Sequence, residues 1–147
     1  MFINLLPVSL ILFNIIYSEN AKNHFLKEFM KKYKGKQWEK TESSIFEDLK
    51  RLRIVTNTTQ KSSQIDELKY YNGHWLFKYD FRIAGTNESA KASGNRIIGY
   101  IDNANNKIQI SFLYNKTDLP KNQGETTYIF QTIKNNFPDI YKLFFLK

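Results

Sequence analysis

Between positions 74 and 83 every second residue is apolar: Trp75, Phe77, Tyr79, Phe81 and Ile83 share one face, while His74, Lys78, Asp80 and Arg82 take the other. A period of two predicts a strand buried on one side. Asn72-Gly73 directly before it is a strong hairpin signal, because both turn positions need positive φ. A two-residue loop sets Tyr71 opposite His74, Tyr70 opposite Trp75, Leu68 opposite Phe77, Glu67 opposite Lys78 and Asp66 opposite Tyr79. Glu67–Lys78 is then a wet-face pair contributing about 0.2–1 kcal/mol. A second hairpin joins 96–102 to 107–114 through Asn103, Ala104, Asn105 and Asn106, with Asp102 against Lys107. That register puts Ile97, Gly99, Ile101, Ile108, Ile110 and Phe112 on a buried face. Gly99 leaves room there for an aromatic ring or marks a bend.

Upstream the period changes to that of a helix. Phe25, Leu26, Phe29, Met30 and Tyr33 fall on one side, and His24, Lys27, Glu28, Lys31, Lys32 and Lys34 on the other, with Gly35 as a stop. A second helix is expected to start at the capping box formed by Ser44 and Glu47, with Ile45, Phe46, Leu49 and Leu52 inward. The aromatic stripe reads as core. A short strand fits 53–59, and 58–64 and 115–125 read as loops. Residues 126–133 suit strand or helix, and Pro138 opens a last helix with Ile140, Leu143 and Phe144 on one side. The expected fold is α+β, with N-terminal helices packed on a curved antiparallel sheet of two hairpins. This order resembles cystatin-like and nuclear-transport-factor-like folds in topology. No family motif accompanies it, so the resemblance carries no function.

Residues 1–18 contain no ionisable side chain. The run is shorter than the roughly 20 apolar residues of a spanning helix. It fits the apolar part of a secretory signal, with Ser18 as the small residue before a cut, although no Lys or Arg precedes it. A retained anchor and a buried N-terminal helix are the alternatives. The expectation is a signal peptide or membrane anchor over 1–18 and one α+β domain over 19–147. The protein is then secreted or periplasmic, or anchored facing outside the cytosol, with membrane contact only through that segment.

Composition narrows the chemistry further. The 147 residues include no Cys, which excludes disulfides, thiolate ligands and a cysteine nucleophile. Two His and no Gly-rich phosphate loop leave no metal or cofactor to expect. No Ser has the setting of a nucleophile elbow. His24 lies on the lysine face and reads as solvated, and His74 and Asp80 are about 20 Å apart on one strand. Asp66 is the one candidate base: its register places it beside Tyr70, Tyr79, Trp75 and Phe77, where a carboxyl would be raised and flanked by tyrosine donors. The plainer reading is an exposed acid at a strand end.

The net charge of +8 is concentrated over 22–53, which carries +5. Lys27, Lys31, Lys32 and Lys34, with Lys36 and Lys40 beyond, form a patch that attracts anionic polymers or membranes by counterion release. A solvated lysine face is the plainer reading here too. The aromatics are not interleaved with the lysines, which argues against sequence-specific nucleic-acid binding. Sequons occur at Asn57, Asn87 and Asn115. The functional expectation is an exported basic binding protein, rather than an enzyme, that engages a protein partner or anionic surface. The alternatives are a small apolar-ligand carrier or enzyme using the concave sheet face around Trp75 and Phe77, or an anchored accessory subunit of an envelope complex.

Overall fold

The computed structural model describes residues 12–33, 35–52, 54–55, 58–59 and 64–146. The fold is α+β. A five-stranded sheet runs in the order β1-β7-β6-β5-β4, made from β1 (Asn14–Tyr17), β4 (Ile65–Tyr71), β5 (His74–Asp80), β6 (Asn95–Asp102) and β7 (Lys107–Asn115). It is antiparallel except for β1, which runs parallel to β7 with Ile15 beside Ile108 and Tyr17 beside Ile110. Two short strands, β2 (Ile54–Val55) and β3 (Thr58–Thr59), pair with each other in the region expected as a strand and loop.

The Asn72-Gly73 turn has φ of 48° and 82°, as a tight hairpin requires. Tyr71 opposes His74 and Tyr70 opposes Trp75 as expected, but a bulge at Leu68 then shifts the register by one. Glu67 faces Phe77, Asp66 faces Lys78, and Ile65 faces Tyr79. One extra residue reverses the side to which every residue before it points. The Leu68–Phe77, Glu67–Lys78 and Asp66–Tyr79 pairings expected from the turn are therefore corrected. The second hairpin pairs Asp102 with Lys107 and keeps Ile97, Ile101, Ile108 and Ile110 on one face. A bulge at Ser111 sends Phe112 to the opposite face.

Helices cover both sides of the sheet. On the first side lie a π-helical segment (Ala21–Phe25), α1 (Leu26–Met30) and α2 (Gly35–Lys50). Phe29, Trp38, Ile45 and Leu49 pack there on Trp75, Phe77, Tyr79 and Phe81. The buried positions of α2 begin at Trp38 and Thr41, a turn and a half before the expected capping box. Packing from that point carries the helix through Ser44, which is exposed in its interior, and Gly35 opens this helix instead of ending the previous one. Within α1, Phe29 is buried and Met30 is exposed. Lys34 lies outside the described residues.

The second side was expected to be wet. It holds a second core of Leu76, Ile98, Phe112 and Tyr114 under α4 (Glu125–Asn136) and α5 (Pro138–Phe145). Ile129 and Ile133 of α4, with Ile140 and Phe144 of α5, supply its upper layer. Pro138 occupies the first turn of α5, where its missing N–H costs nothing.

Gly99 fits a ring, as expected. A Cβ built there falls well inside contact with the Phe77 ring, which is fully buried. Gly99→Ala should cost about 1–3 kcal/mol in urea denaturation through overpacking. Phe77→Leu in the same chain should return part of that loss, giving a measurable coupling between the two sites. Additive effects would mean that the ring does not depend on the gap.

Candidate functional site

The three residues proposed around a carboxylate base separate in space. Asp66 is exposed and lies 3.7 Å from Lys78 on the α4 side of the sheet. Glu67 takes the aromatic side instead, where its Oε1 accepts a 3.0 Å hydrogen bond from Trp75 Nε1. Tyr70 packs on Trp75 with centroids 4.7 Å apart, and its hydroxyl accepts from the Gly73 N–H, closing the turn. Tyr79 nevertheless meets a carboxylate: its hydroxyl donates to Asp48 Oδ2 of α2 at 2.5 Å. Burial, and then Asp48, push the Tyr79 phenol well above its ordinary range, so it remains a neutral donor.

Asp48 and Tyr79 stand at a cleft of about 650 Å³ between α2 and the segment that leaves β5. Ser44 and Asp48 line its helix wall, and Gln64, Arg82 and Lys91 are among the residues opposite. Asp48 was missed because its partner comes from a different element. The signal available in the sequence was the repeat Lys36, Lys40, Ser44, Asp48, a polar stripe at a spacing of four.

Trp75 and Phe77 are buried under α1 and α2, so the sheet's aromatic face is filled by the protein's own helices. Among the described residues, no group of three or more His, Cys, Asp or Glu is placed to hold a metal ion. No described helix is long and apolar enough to cross a membrane.

The lysines divide into two sets. Lys27 and Lys31 are exposed on α1 and the turn after it, and Lys31 pairs with Glu28 at 3.0 Å. Lys32, Lys36 and Lys40 line a groove of about 590 Å³ with Gln37, Ala84 and Gly85, and none of these lining residues is acidic. Lys32 also pairs with Asp118. The far wall is fixed by two bonds at Ala84: its N–H donates to Thr41 Oγ1 at 2.8 Å and its carbonyl accepts from Gln37 Nε2 at 3.1 Å.

A third polar cluster lies inside the second core. Asp80 and Arg96 are direct cross-strand neighbours, both about 95% buried, with Oδ1 and Nε 3.1 Å apart. Glu125, the first residue of α4, lies 3.4 Å from Arg96 and 3.5 Å from Lys78, and accepts a 2.6 Å bond from Tyr114. Asp80 and Lys78 were expected on a wet face. The charges are accommodated instead by pairing with one another beneath α4. Burial raises the Asp80 carboxyl, against the pull of Arg96 and Lys78. Glu125 is also pushed up by burial, but the Tyr114 hydroxyl and the Lys78 and Arg96 charges outweigh this and leave it below its ordinary value. The cluster lines none of the clefts above and holds α4 on the sheet. His74 lies 2.7 Å from the Tyr100 hydroxyl, remote from Asp80 on the same strand.

No protein-family model, curated protein or solved structure matches this chain.

Proposed function

We propose that this chain is an exported basic interaction protein that engages an anionic partner through its N-terminal helices. The observation that carries the reading is the groove of Lys32, Lys36 and Lys40, which gathers positive charge against a braced wall with no acid among its lining residues. A concave cationic groove focuses its field and raises the local concentration of anions more than scattered surface lysines do. On this reading the N-terminal half of the fold keeps the cystatin-like or nuclear-transport-factor-like order of helices on sheet. Strand β1 and the α4–α5 layer are additions to it. The filled aromatic face favours surface binding over an internal carrier site or enzyme pocket.

Retention on an immobilised polyanion tests the reading. Changing Lys32, Lys36 and Lys40 to Glu should move elution to much lower salt. The same change at Lys27 and Lys31, outside the groove, should have a small effect. Equal shifts from both sets would assign binding to diffuse charge, and no shift from either would sink the proposal.

A further inference from the structure

The chain holds sequons at Asn57, Asn87 and Asn115, and the fold gives the last two opposite settings. Asn57 lies outside the described residues. Asn87, Glu88 and Ser89 form an exposed loop between β5 and α3 (Ala90–Ser93). The Asn87 side chain makes no hydrogen bond among the described residues and lines neither cleft beside α2. The loop itself is held at both ends. Before it, the Thr86 N–H and hydroxyl donate to the Ile83 carbonyl at 3.2 and 2.7 Å, and the Thr86 carbonyl accepts from Arg82 at 3.2 Å. After it, Ser89 caps α3 by accepting from the Ala92 N–H at 3.1 Å. Asn87 therefore stands on a braced loop with its amide in solvent.

Asn115, at the end of β7, is half-buried and its amide is fully engaged. Its Nδ2 donates to the Ser93 carbonyl at 3.1 Å and to Asn95 Oδ1 at 2.6 Å. Its Oδ1 accepts from the Thr117 N–H and hydroxyl at 2.9 and 2.7 Å. Asn95 is only 2% exposed, and a Cβ built on Gly94 falls 3.2 Å from Asn115 Oδ1, so the corner is crowded. A sugar on Nδ2 takes one of its two hydrogens and leaves Ser93 or Asn95 without its donor.

Resting on the export proposed above, and independently of the lysine groove, we infer that Asn87 is an N-glycosylation site and that the fold excludes Asn115. In this reaction the Asn87 Nδ2 attacks the anomeric carbon of an oligosaccharide carried on a polyprenyl pyrophosphate. The N–C bond forms, the C–O bond to the pyrophosphate breaks, and the amide gives up one proton. Nothing is oxidised or reduced. Transfer reaches the chain as it is made, so the exclusion of Asn115 acts through folding. A chain carrying sugar there cannot close the corner between α3, β6 and β7.

The experiment expresses the full chain in a secreting eukaryotic cell, once with its own N-terminus and once behind a supplied cleavable leader. Peptide mapping of the secreted and cell-held fractions then locates the sugar. In the secreted fraction Asn87 should carry an oligosaccharide and Asn115 none. Asn87→Gln should remove that one glycan from the intact mass and leave secretion and thermal melting unchanged. Thr117→Ala closes the third sequon and keeps the Asn115 bonds to Ser93 and Asn95. Where the wild-type chain is held in the cell with Asn115 modified, this variant should be released with Asn87 occupied; equal retention of both would overturn the exclusion. So would sugar on Asn115 in a secreted chain that melts like the unglycosylated protein. An unmodified Asn87 in both fractions behind the supplied leader overturns the site. Modification of Asn87 only behind that leader rejects the export reading and leaves the site standing.

Discussion

Replacing Arg96 with Ala should lower stability by about 3–5 kcal/mol, because it leaves a buried carboxylate without its cation. Asp80 loses its cross-strand cation, and Glu125 loses one of the three cations, Lys78, Arg96 and Lys116, that hold it below its ordinary value. The effect should depend on pH with a definite sign. Burial raises the folded Asp80 value above the unfolded one, so this group's contribution falls as pH rises from about 4 through the folded value. Removing Arg96 raises that folded value again and widens the window. Glu125 has the opposite starting point: its lowered value supplies stability above the unfolded value, lost as pH falls through the folded one. Taking away a cation shrinks that supply. Both changes make the deficit larger at pH 7 than at pH 3.5, which urea titrations at the two values will measure. A deficit independent of pH would mean that Arg96 acts by packing its stem and bonding the Ala90, Asn95 and Lys91 carbonyls. Lys78→Ala, which on a wet strand would cost little, should now also be destabilising, since Lys78 bridges Asp66 and Glu125 with its side chain only 19% exposed.

A chain that begins at Glu19 should be destabilised even more. It lacks β1, the buried Phe13, and Ser18, whose hydroxyl donates to the Ser111 carbonyl and accepts from the Ala21 N–H. Loss of Phe13 packing alone is worth about 3–5 kcal/mol by analogy with Phe→Ala changes in cores. The Tyr17–Glu42 bond to α2 and the parallel pairing with β7 are lost in addition. Comparing thermal melts of the full chain and of a chain starting at Glu19 checks this. Equal melting temperatures would show that β1 is dispensable and would support cleavage after Ser18. A large drop would set a cost on that cut that the rest of the domain must bear.

These residues also show what the sequence could and could not carry. The turn at Asn72-Gly73, the pairing of Asp102 with Lys107, the gap at Gly99 and the start of α5 at Pro138 were legible because each rests on local chemistry. The bulges at Leu68 and Ser111 were not, since an extra residue leaves the hydrophobic content unchanged while reversing faces upstream or downstream. That reversal removed Asp66 from the candidate site. The second core was hidden because Lys78, Asp80 and Arg96 look like solvent-facing residues until their mutual pairing is known. Residues 14–17 read alike for the end of a leader and for a half-buried edge strand, and their pairing with β7 was not legible in the sequence. Around α2, the lysines were visible by charge and spacing. Asp48 depended on a contact between elements 31 positions apart.

The parallel pairing of β1 with β7 has a consequence for the timing of synthesis. Asn14 meets Lys107 and Tyr17 meets Ile110, so the partner of the first strand is made more than ninety residues later. At about 5–20 residues per second, β1 waits roughly 5–20 s on the ribosome before any strand can receive it. The hairpins between β4 and β7 are complete by then, and β1 closes the sheet last, by the longest loop. Throughout that interval its apolar, uncharged surroundings are open to whatever binds nascent chains. Folding and capture compete for one short segment, and the pace of elongation sets how long the competition lasts.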